Sequence, residues 1–93
     1  MLTEKTINIL RERAEFYKVK KLLLFGSCLD KPEEEANDID LAVDGIDGHD
    51  FFTFHSDLLF NEDIGKSIDL IDMSDDVTIM PVILENNVAI YES

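Results

Sequence analysis

Internal disulfide bonds are excluded by the cysteine content, because Cys28 is the only cysteine among the 93 residues. The chain also has no tryptophan, four glycines and two prolines, which excludes collagen-like and glycine- or proline-rich low-complexity architectures. The longest strongly apolar run, residues 22–25, is far shorter than the roughly 20 residues that span a bilayer, and no apolar targeting segment follows Met1. We therefore expect a cytoplasmic protein with no membrane association and one domain over residues 1–93.

Positive charge is scarce as well. Lys and Arg number 8 against 21 Asp and Glu, which gives a formal net charge of −13. Such a surface repels phosphate backbones, so we expect no non-specific binding of nucleic acid. Two interpretations of the acidity stay open: it is a solvated surface that favours solubility, or part of it binds a basic partner protein and divalent cations.

Apolar periodicity predicts alternating helices and strands. A stripe at spacings of three and four predicts a first helix capped by Thr3, and a phenylalanine-rich face predicts a second helix over residues 50–60 that packs into the core. Strands are predicted over residues 20–25, 38–43, 66–72 and 88–91, with an exposed loop over 28–37 and a short, weakly helical piece between Asp75–Asp76 and Pro81. This order predicts an α+β fold of two layers, a small mixed sheet with helices on one face.

Aspartate is unfavourable in a β-strand, yet Asp38, Asp40 and Asp69 lie on predicted strands beside apolar residues. Asp38 and Asp40 are two positions apart, so their side chains share one face of a strand, and Asp69 lies on the next strand. If those strands pair, the three carboxylates converge. Carboxylate oxygens suit Mg²⁺ or Mn²⁺, and two such ions about 3.5–4 Å apart can hold both the attacking and the leaving oxygens of a displacement at phosphorus. The alternative is that these aspartates are ordinary solvent-facing positions of acidic strands.

Gly26 and Ser27 follow the first predicted strand. A glycine there lets a phosphate approach the backbone closely, and a serine offers a hydroxyl and a backbone N–H to it. An ordinary strand-to-loop turn has the same composition, so the dipeptide becomes informative only through its position ahead of Asp38 and Asp40.

The combined spacing resembles a known family. Residues 24–27, 38–41 and 68–71 read Leu-Phe-Gly-Ser, Asp-Ile-Asp-Leu and Ile-Asp-Leu-Ile. In this order they look like the motifs of the minimal nucleotidyltransferases, members of the DNA polymerase beta-like superfamily. The ending at residues 87–92, Asn-Val-Ala-Ile-Tyr-Glu, is also similar to that of the family, so the resemblance covers nearly the whole chain.

The resemblance implies a nucleotidyltransferase fold and a role for each matching residue. Gly26 and Ser27 would hold the terminal phosphates of ATP or another nucleoside triphosphate, and Asp38 and Asp40 would bind two Mg²⁺ ions that bridge the triphosphate. Asp69 would bind the second metal and help to deprotonate the acceptor hydroxyl. The reaction would transfer a nucleoside monophosphate, AMP from Mg·ATP, and release pyrophosphate. Many relatives are antitoxins that add AMP to a tyrosine of a HEPN-type toxin, which makes such a toxin the expected partner.

One segment departs from the family. Where relatives often carry an Arg-Ala-Arg-Gly loop after Gly-Ser, residues 28–31 read Cys-Leu-Asp-Lys. Two hypotheses follow: an active enzyme that modifies a partner protein, or an acidic antitoxin with weak or lost catalysis that neutralises a basic partner by occlusion. An antibiotic-modifying transferase ranks lower, since those enzymes usually carry an additional helical domain for the acceptor. Because the domain is small, a partner chain or a homo-oligomer must complete the acceptor pocket of an active enzyme.

Other metal and nucleophile chemistry is disfavoured. The aspartates of residues 38–50 lack the spacing of an EF-hand loop. His49 and His55 share no zinc-ligand spacing with other residues, which favours surface or packing roles. The acidic neighbours of Cys28 disfavour its thiolate, so we expect no nucleophilic role for it.

Overall fold

A computed structural model of the protein describes residues 1–75 and 80–93, so Asp76 and most of the short helical piece predicted ahead of Pro81 lie outside the described residues. Two short 3-10 turns, Gly26–Leu29 and Glu33–Glu35, lie between the first two strands. The helices and strands follow the predicted order: α1 (Glu4–Phe16), β1 (Lys21–Phe25), β2 (Asp38–Asp44), α2 (Gly48–Leu59), β3 (Ser67–Asp72), α3 (Met80–Glu85) and β4 (Val88–Glu92).

The four strands form one mixed sheet in the order β3-β2-β1-β4. Strand β1 is antiparallel to β2 and to β4, whereas β2 and β3 are parallel. A parallel pair needs a crossover connection, and α2 provides it between β2 and β3. The predicted α+β fold with a small mixed sheet is confirmed.

Helices α1 and α2 cover one face of the sheet, as predicted. Thr3 caps α1, where its side-chain oxygen accepts a hydrogen bond from the N–H of Thr6 at 3.3 Å. The helices bury apolar side chains against alternate residues of the strands, because successive strand residues point to opposite faces. The fully buried members of this core include Leu10, Ala14, Leu22, Leu24, Ile39, Leu41, Phe54 and Leu58.

The second face of the sheet is covered in part by α3. Ile83 is fully buried there and packs with Leu23, Phe25 and Ala42. The sequence predicted helices on one face only, and the short helix α3 adds to that arrangement. The physical reason is that β1 is apolar at every position after Lys21, so both of its faces need cover.

The phenylalanine-rich helix α2 begins at Asp47, whose side chain accepts a hydrogen bond from the N–H of His49 at 2.9 Å. Phe54 and Leu58 are fully buried, as expected of a core-facing stripe. Phe52 is 75% exposed, so the predicted core role does not extend to the flank of the helix on which it lies. Within residues 1–75 and 80–93, no helix has the length and apolar character needed to span a membrane.

Candidate functional site

The parallel pairing of β2 with β3 brings the predicted carboxylates together. Asp40 lies directly opposite Asp69 in the register, and Asp38 lies opposite Ser67 at the start of both strands. Because Ile39, Ile68 and the residues that alternate with them point into the α1/α2 core, the three aspartates point to the opposite face of the sheet. The geometry therefore gathers Asp38, Asp40 and Asp69 on the face that also carries α3.

The half-buried Asp40 is in an unfavourable electrostatic environment. Its pKa is raised above the ordinary aspartate value, first by burial, then by the negative charges of Asp69 and Asp38, and finally by a hydrogen bond with Asp69. Each of these causes disfavours the ionised form. A cation placed against Asp40 would relieve the repulsion, which is the electrostatic behaviour of a metal-ligand carboxylate.

Gly26 lies in direct contact with the Asp40 carboxylate. Its backbone has a φ of +81°, and a Cβ atom added there would lie 2.2 Å from Oδ2 of Asp40. Both the left-handed conformation and the lack of space require glycine. Gly26 directly follows Phe25, which lies opposite Asp40 in the β1–β2 register. The structure therefore places Gly26 and Ser27, which the sequence predicted to bind phosphate, beside the carboxylates.

Ser27 is exposed in the turn that begins at Gly26. Its carbonyl accepts hydrogen bonds from the backbone N–H groups of Asp30 at 3.2 Å and Lys31 at 3.0 Å, which closes the turn. Ser27 thus follows Gly26 on a backbone fixed by this turn, and its exposed side chain offers a hydroxyl that can donate a hydrogen bond to a phosphate.

Cys28 is buried beneath this turn, although the sequence predicted an exposed loop over residues 28–37. The side chain of Cys28 is fully buried, and its thiol donates a hydrogen bond to the carbonyl of Asp38 at 3.4 Å. Burial is the main cause that raises the pKa of the Cys28 thiol, ahead of the negative charges of Asp40 and Glu33, while the chain's N-terminal charge opposes the shift. Cys28 is therefore a packing residue that ties the turn Gly26–Leu29 to β2, and a nucleophilic role is disfavoured.

Two side chains that hold the rest of this loop were not found from the sequence. A Glu33 carboxylate oxygen accepts from the N–H of Thr3 at 3.0 Å, and its other oxygen accepts from the Thr6 hydroxyl at 2.9 Å, so Glu33 reinforces the cap of α1. The Lys66 ammonium donates to the carbonyl of Ala36 at 2.8 Å. These partners are about 30 residues apart in the chain, and no local pattern could have indicated the pairs.

His55 supports the strand that carries Asp69. Its Nε2 lies 2.8 Å from the carbonyl oxygen of Ile68, the residue directly before Asp69. This contact joins α2 to the edge strand β3, as expected of a packing histidine. His49 lies in the first turn of α2.

The donor chemistry at the carboxylates fits hard divalent cations such as Mg²⁺, because all three side chains offer only oxygen ligands. Among the described residues, no three histidine, cysteine, aspartate or glutamate side chains already converge around a common point that could hold an ion. Three observations support a divalent cation here: the ligand atoms are all oxygens, Asp40 lies opposite Asp69, and the environment of Asp40 disfavours its negative charge.

A family model and several solved structures match this chain and agree on its fold. Residues 4–93 match the family described as Polymerase beta, Nucleotidyltransferase. A chain from a crystal structure of the toxin–antitoxin MntA–HepT aligns with a TM-score of 0.71 and 16% identity over 98% of this chain and 74% of that chain. A mutant of such a complex with two Asp-to-Glu substitutions gives a TM-score of 0.74 and 16% identity over 94% of this chain and 73% of that chain.

A further solved structure, a toxin–antitoxin with AMP-PNP, aligns with a TM-score of 0.68 and 18% identity, over 98% of this chain and 75% of that chain. At these identities the structural likeness shows the fold alone. A search of curated proteins finds no match. The match over nearly the whole chain, on a fold shared with these structures, shows that the protein belongs to the polymerase beta-like nucleotidyltransferase family.

Proposed function

We propose that this protein is a minimal nucleotidyltransferase that transfers AMP from Mg·ATP to a hydroxyl group of a HEPN-type partner protein, as the antitoxin of a toxin–antitoxin pair. The observation that carries the proposal is the parallel register that sets Asp40 opposite Asp69, with the backbone of Gly26 against the Asp40 carboxylate. That arrangement sets carboxylate oxygens, which could hold Mg²⁺, beside a glycine backbone and the exposed Ser27, which could hold phosphate.

In this proposal each residue has a distinct role. Gly26 and Ser27 hold the β- and γ-phosphates through the backbone and the hydroxyl. Asp38 and Asp40 would hold the two metal ions, and Asp69 would bind the second ion and help to deprotonate the acceptor hydroxyl. When bound, Mg²⁺ would offset triphosphate charge and make the acceptor hydroxyl more acidic.

The transfer would proceed by in-line displacement at the α-phosphorus. The acceptor oxygen forms a new bond to that phosphorus, the bond from phosphorus to the bridging oxygen of the β-phosphate breaks, and pyrophosphate leaves with the bonding electrons. The acceptor proton passes to the carboxylate of Asp69, which lies on the exposed part of the site. The solved relatives support the partner and the nucleotide, since they are toxin–antitoxin complexes and one contains AMP-PNP.

Incubation of the protein with Mg²⁺, ATP labelled at the α-phosphate and the product of the adjacent gene tests this proposal. We expect label on the partner with the wild type, and loss of at least about 100-fold with Asp38→Asn/Asp40→Asn, because both metal ligands are removed. Asp44→Asn removes a carboxylate from the far end of the same strand and serves as the control. Transfer that is absent with the wild type, or equal in the double variant, would refute the proposal.

A second candidate function is neutralisation of a basic partner by occlusion, without turnover. It is favoured by the acidic turn after Gly26, in which Asp30 and Glu34 are exposed and Cys28 is buried at a position where relatives often carry arginine. In this case Asp38→Asn/Asp40→Asn should neutralise the toxicity of the partner as well as the wild type does. Loss of neutralisation in the double variant would exclude this candidate.

A further inference from the structure

Seven of the eight basic side chains of this protein are either engaged by other protein groups or lie at the other end of the sheet from the candidate site. All eight lie in the described part of the chain, because residues 76–79 include no lysine or arginine. Four of them engage other protein groups. Arg11 donates to the carbonyl of Ile90 at 2.8 Å, Arg13 pairs with Asp57, Lys66 donates to the carbonyl of Ala36 at 2.8 Å, and Lys5 lies 3.9 Å from Asp63.

Three further lysines lie at the end of the sheet opposite the candidate site. Lys18 and Lys20 precede β1, and Lys21 begins it, opposite Asp44 and Glu92. Gly26 follows the other end of the same strand, about 16 Å away at the usual rise of an extended chain. These lysines cannot contact a phosphate held at Gly26.

Lys31 is the one basic residue in the loop that begins at Gly26, and acidic residues surround it. Asp30 precedes it, and the turn Glu33–Glu35 follows two residues later. Lys31 is exposed, and its backbone N–H already donates to the carbonyl of Ser27. The local charge of this loop is therefore negative, although Lys31 and the N-terminal ammonium, which donates to the Lys31 carbonyl, offset part of it.

The charge balance at the site is incomplete when the chain acts alone. A triphosphate that carries two divalent cations is roughly neutral, which leaves the charges of Asp38, Asp40 and Asp69 uncompensated. Nucleotidyl transfer also develops negative charge on the leaving pyrophosphate, which is normally stabilised by lysine or arginine. A second copy of this chain is an unfavourable source of that charge, because two copies that each carry a net charge of −13 repel each other.

We infer, on the basis of the proposed function, that the carboxylate face is completed by a basic partner protein that delivers arginine or lysine side chains to the bound triphosphate. The same partner presents the acceptor hydroxyl, so nucleotide binding and acceptor docking are coupled. The acidic surface steers this partner to the site and disfavours acidic proteins. The nucleotide therefore binds weakly to the domain alone and tightly to the complex.

Calorimetric titration with Mg²⁺ and AMP-PNP tests the inference on the isolated domain and on its complex with the product of the adjacent gene. Asp30→Arg places a cation four residues after Gly26 and should tighten binding to the isolated domain by about tenfold or more, the scale of one charge-assisted hydrogen bond. Glu15→Arg makes the same charge change on the exposed side of α1, across the sheet, and should change affinity less than about threefold.

Titration of the complex shows whether a lack of positive charge in the isolated domain is the cause of its weak nucleotide binding. We expect the partner to tighten binding to the wild type by at least about tenfold, and to add much less to Asp30→Arg, because the two cations serve the same charge deficit. Equal affinity of the wild-type domain and its complex, equal effects of Asp30→Arg and Glu15→Arg, or no binding by any form would overturn the inference. Absence of AMP transfer with this affinity pattern intact would instead refute only the proposed enzymatic function.

Discussion

At the scale of single residues, Asp40 links the stability of the fold to its proposed function. It is half-buried opposite Asp69, and its raised pKa shows that the folded protein disfavours its charge. Asp40→Asn should therefore stabilise the metal-free protein at pH 7, by about 0.2–1 kcal/mol on the scale of cross-strand charge pairs. The gain should disappear toward about pH 3, since a group with a raised folded-state pKa costs stability only as pH rises through its titration range.

Thermal unfolding with and without Mg²⁺ measures this effect. Millimolar Mg²⁺ should raise the melting temperature of the wild type and leave that of Asp40→Asn unchanged. Asp44→Asn removes a carboxylate from the same strand but outside the site, so it should keep the Mg²⁺ response. A metal-free Asp40→Asn protein that is less stable than the wild type would contradict the electrostatic account.

Gly26 is the second residue at which a small change has a specific consequence. Gly26→Ala must adopt a φ near +81° and place a methyl group against the Asp40 carboxylate. We expect a loss of about 1–2 kcal/mol in the free energy of unfolding, together with loss of Mg·AMP-PNP binding. Gly48→Ala is the matched control, because Gly48 begins α2 and a Cβ there meets nothing within 4 Å. Urea unfolding should show Gly48→Ala at or above wild-type stability; equal losses in both variants would contradict this account.

At the scale of secondary-structure elements, one ion pair joins the two long helices. Arg13 of α1 pairs with Asp57 of α2, and Tyr17 donates a hydrogen bond to the same carboxylate at 3.1 Å. Burial is the largest cause that raises the pKa of Tyr17, followed by its hydrogen bond with Asp57, so its hydroxyl stays protonated and remains a donor. The cluster therefore fixes α2, the crossover that sets the β2–β3 register.

Removal of the Asp57 carboxylate should weaken the packing of α1 on α2 and lower the free energy of unfolding. Asp57→Ala leaves the partly buried guanidinium of Arg13 without its partner, and we expect a loss of about 1–3 kcal/mol in urea unfolding. Asp63→Ala breaks a pair whose side chains are 69% and 72% exposed, and should cost less than about 0.5 kcal/mol. Similar losses in the two variants would show that the packing of α1 on α2 does not depend on the partly buried Arg13–Asp57 pair.

The elements that the sequence predicted are those with a local signal. The stripe of α1 behind Thr3, the Asp-x-Asp alternation of β2 and the glycine at the end of β1 each depend on neighbours a few residues apart, and the structure has all three. A short helix before β4 was predicted, but its place on the second face of the sheet was not, because the burial of Ile83 depends on side chains of β1 and β2. The contacts of Glu33 and Lys66 were missed for the same reason, since long-range hydrogen bonds have no periodicity.

At the scale of the whole molecule, a net charge of −13 in 93 residues opposes folding through self-repulsion. We expect the free energy of unfolding to rise by about 0.5–1 kcal/mol between 10 and 150 mM NaCl, because screening weakens repulsion between exposed carboxylates. Urea unfolding at a series of ionic strengths measures this, and choline chloride should act as NaCl does if screening is the cause. A stability that falls with salt would mean that favourable ion pairs outweigh the repulsion.

The central claim is that Asp38, Asp40 and Asp69 form a divalent-metal site beside Gly26. Nuclear magnetic resonance with Mn²⁺ and AMP-PNP tests it most directly, because a bound paramagnetic ion broadens the amide signals close to it. We predict selective broadening at Gly26, Asp40 and Asp69, little effect on buried amides of α1, and loss of the selectivity in Asp40→Asn. Uniform weak broadening over the acidic surface, or the same pattern in Asp40→Asn, would contradict the claim.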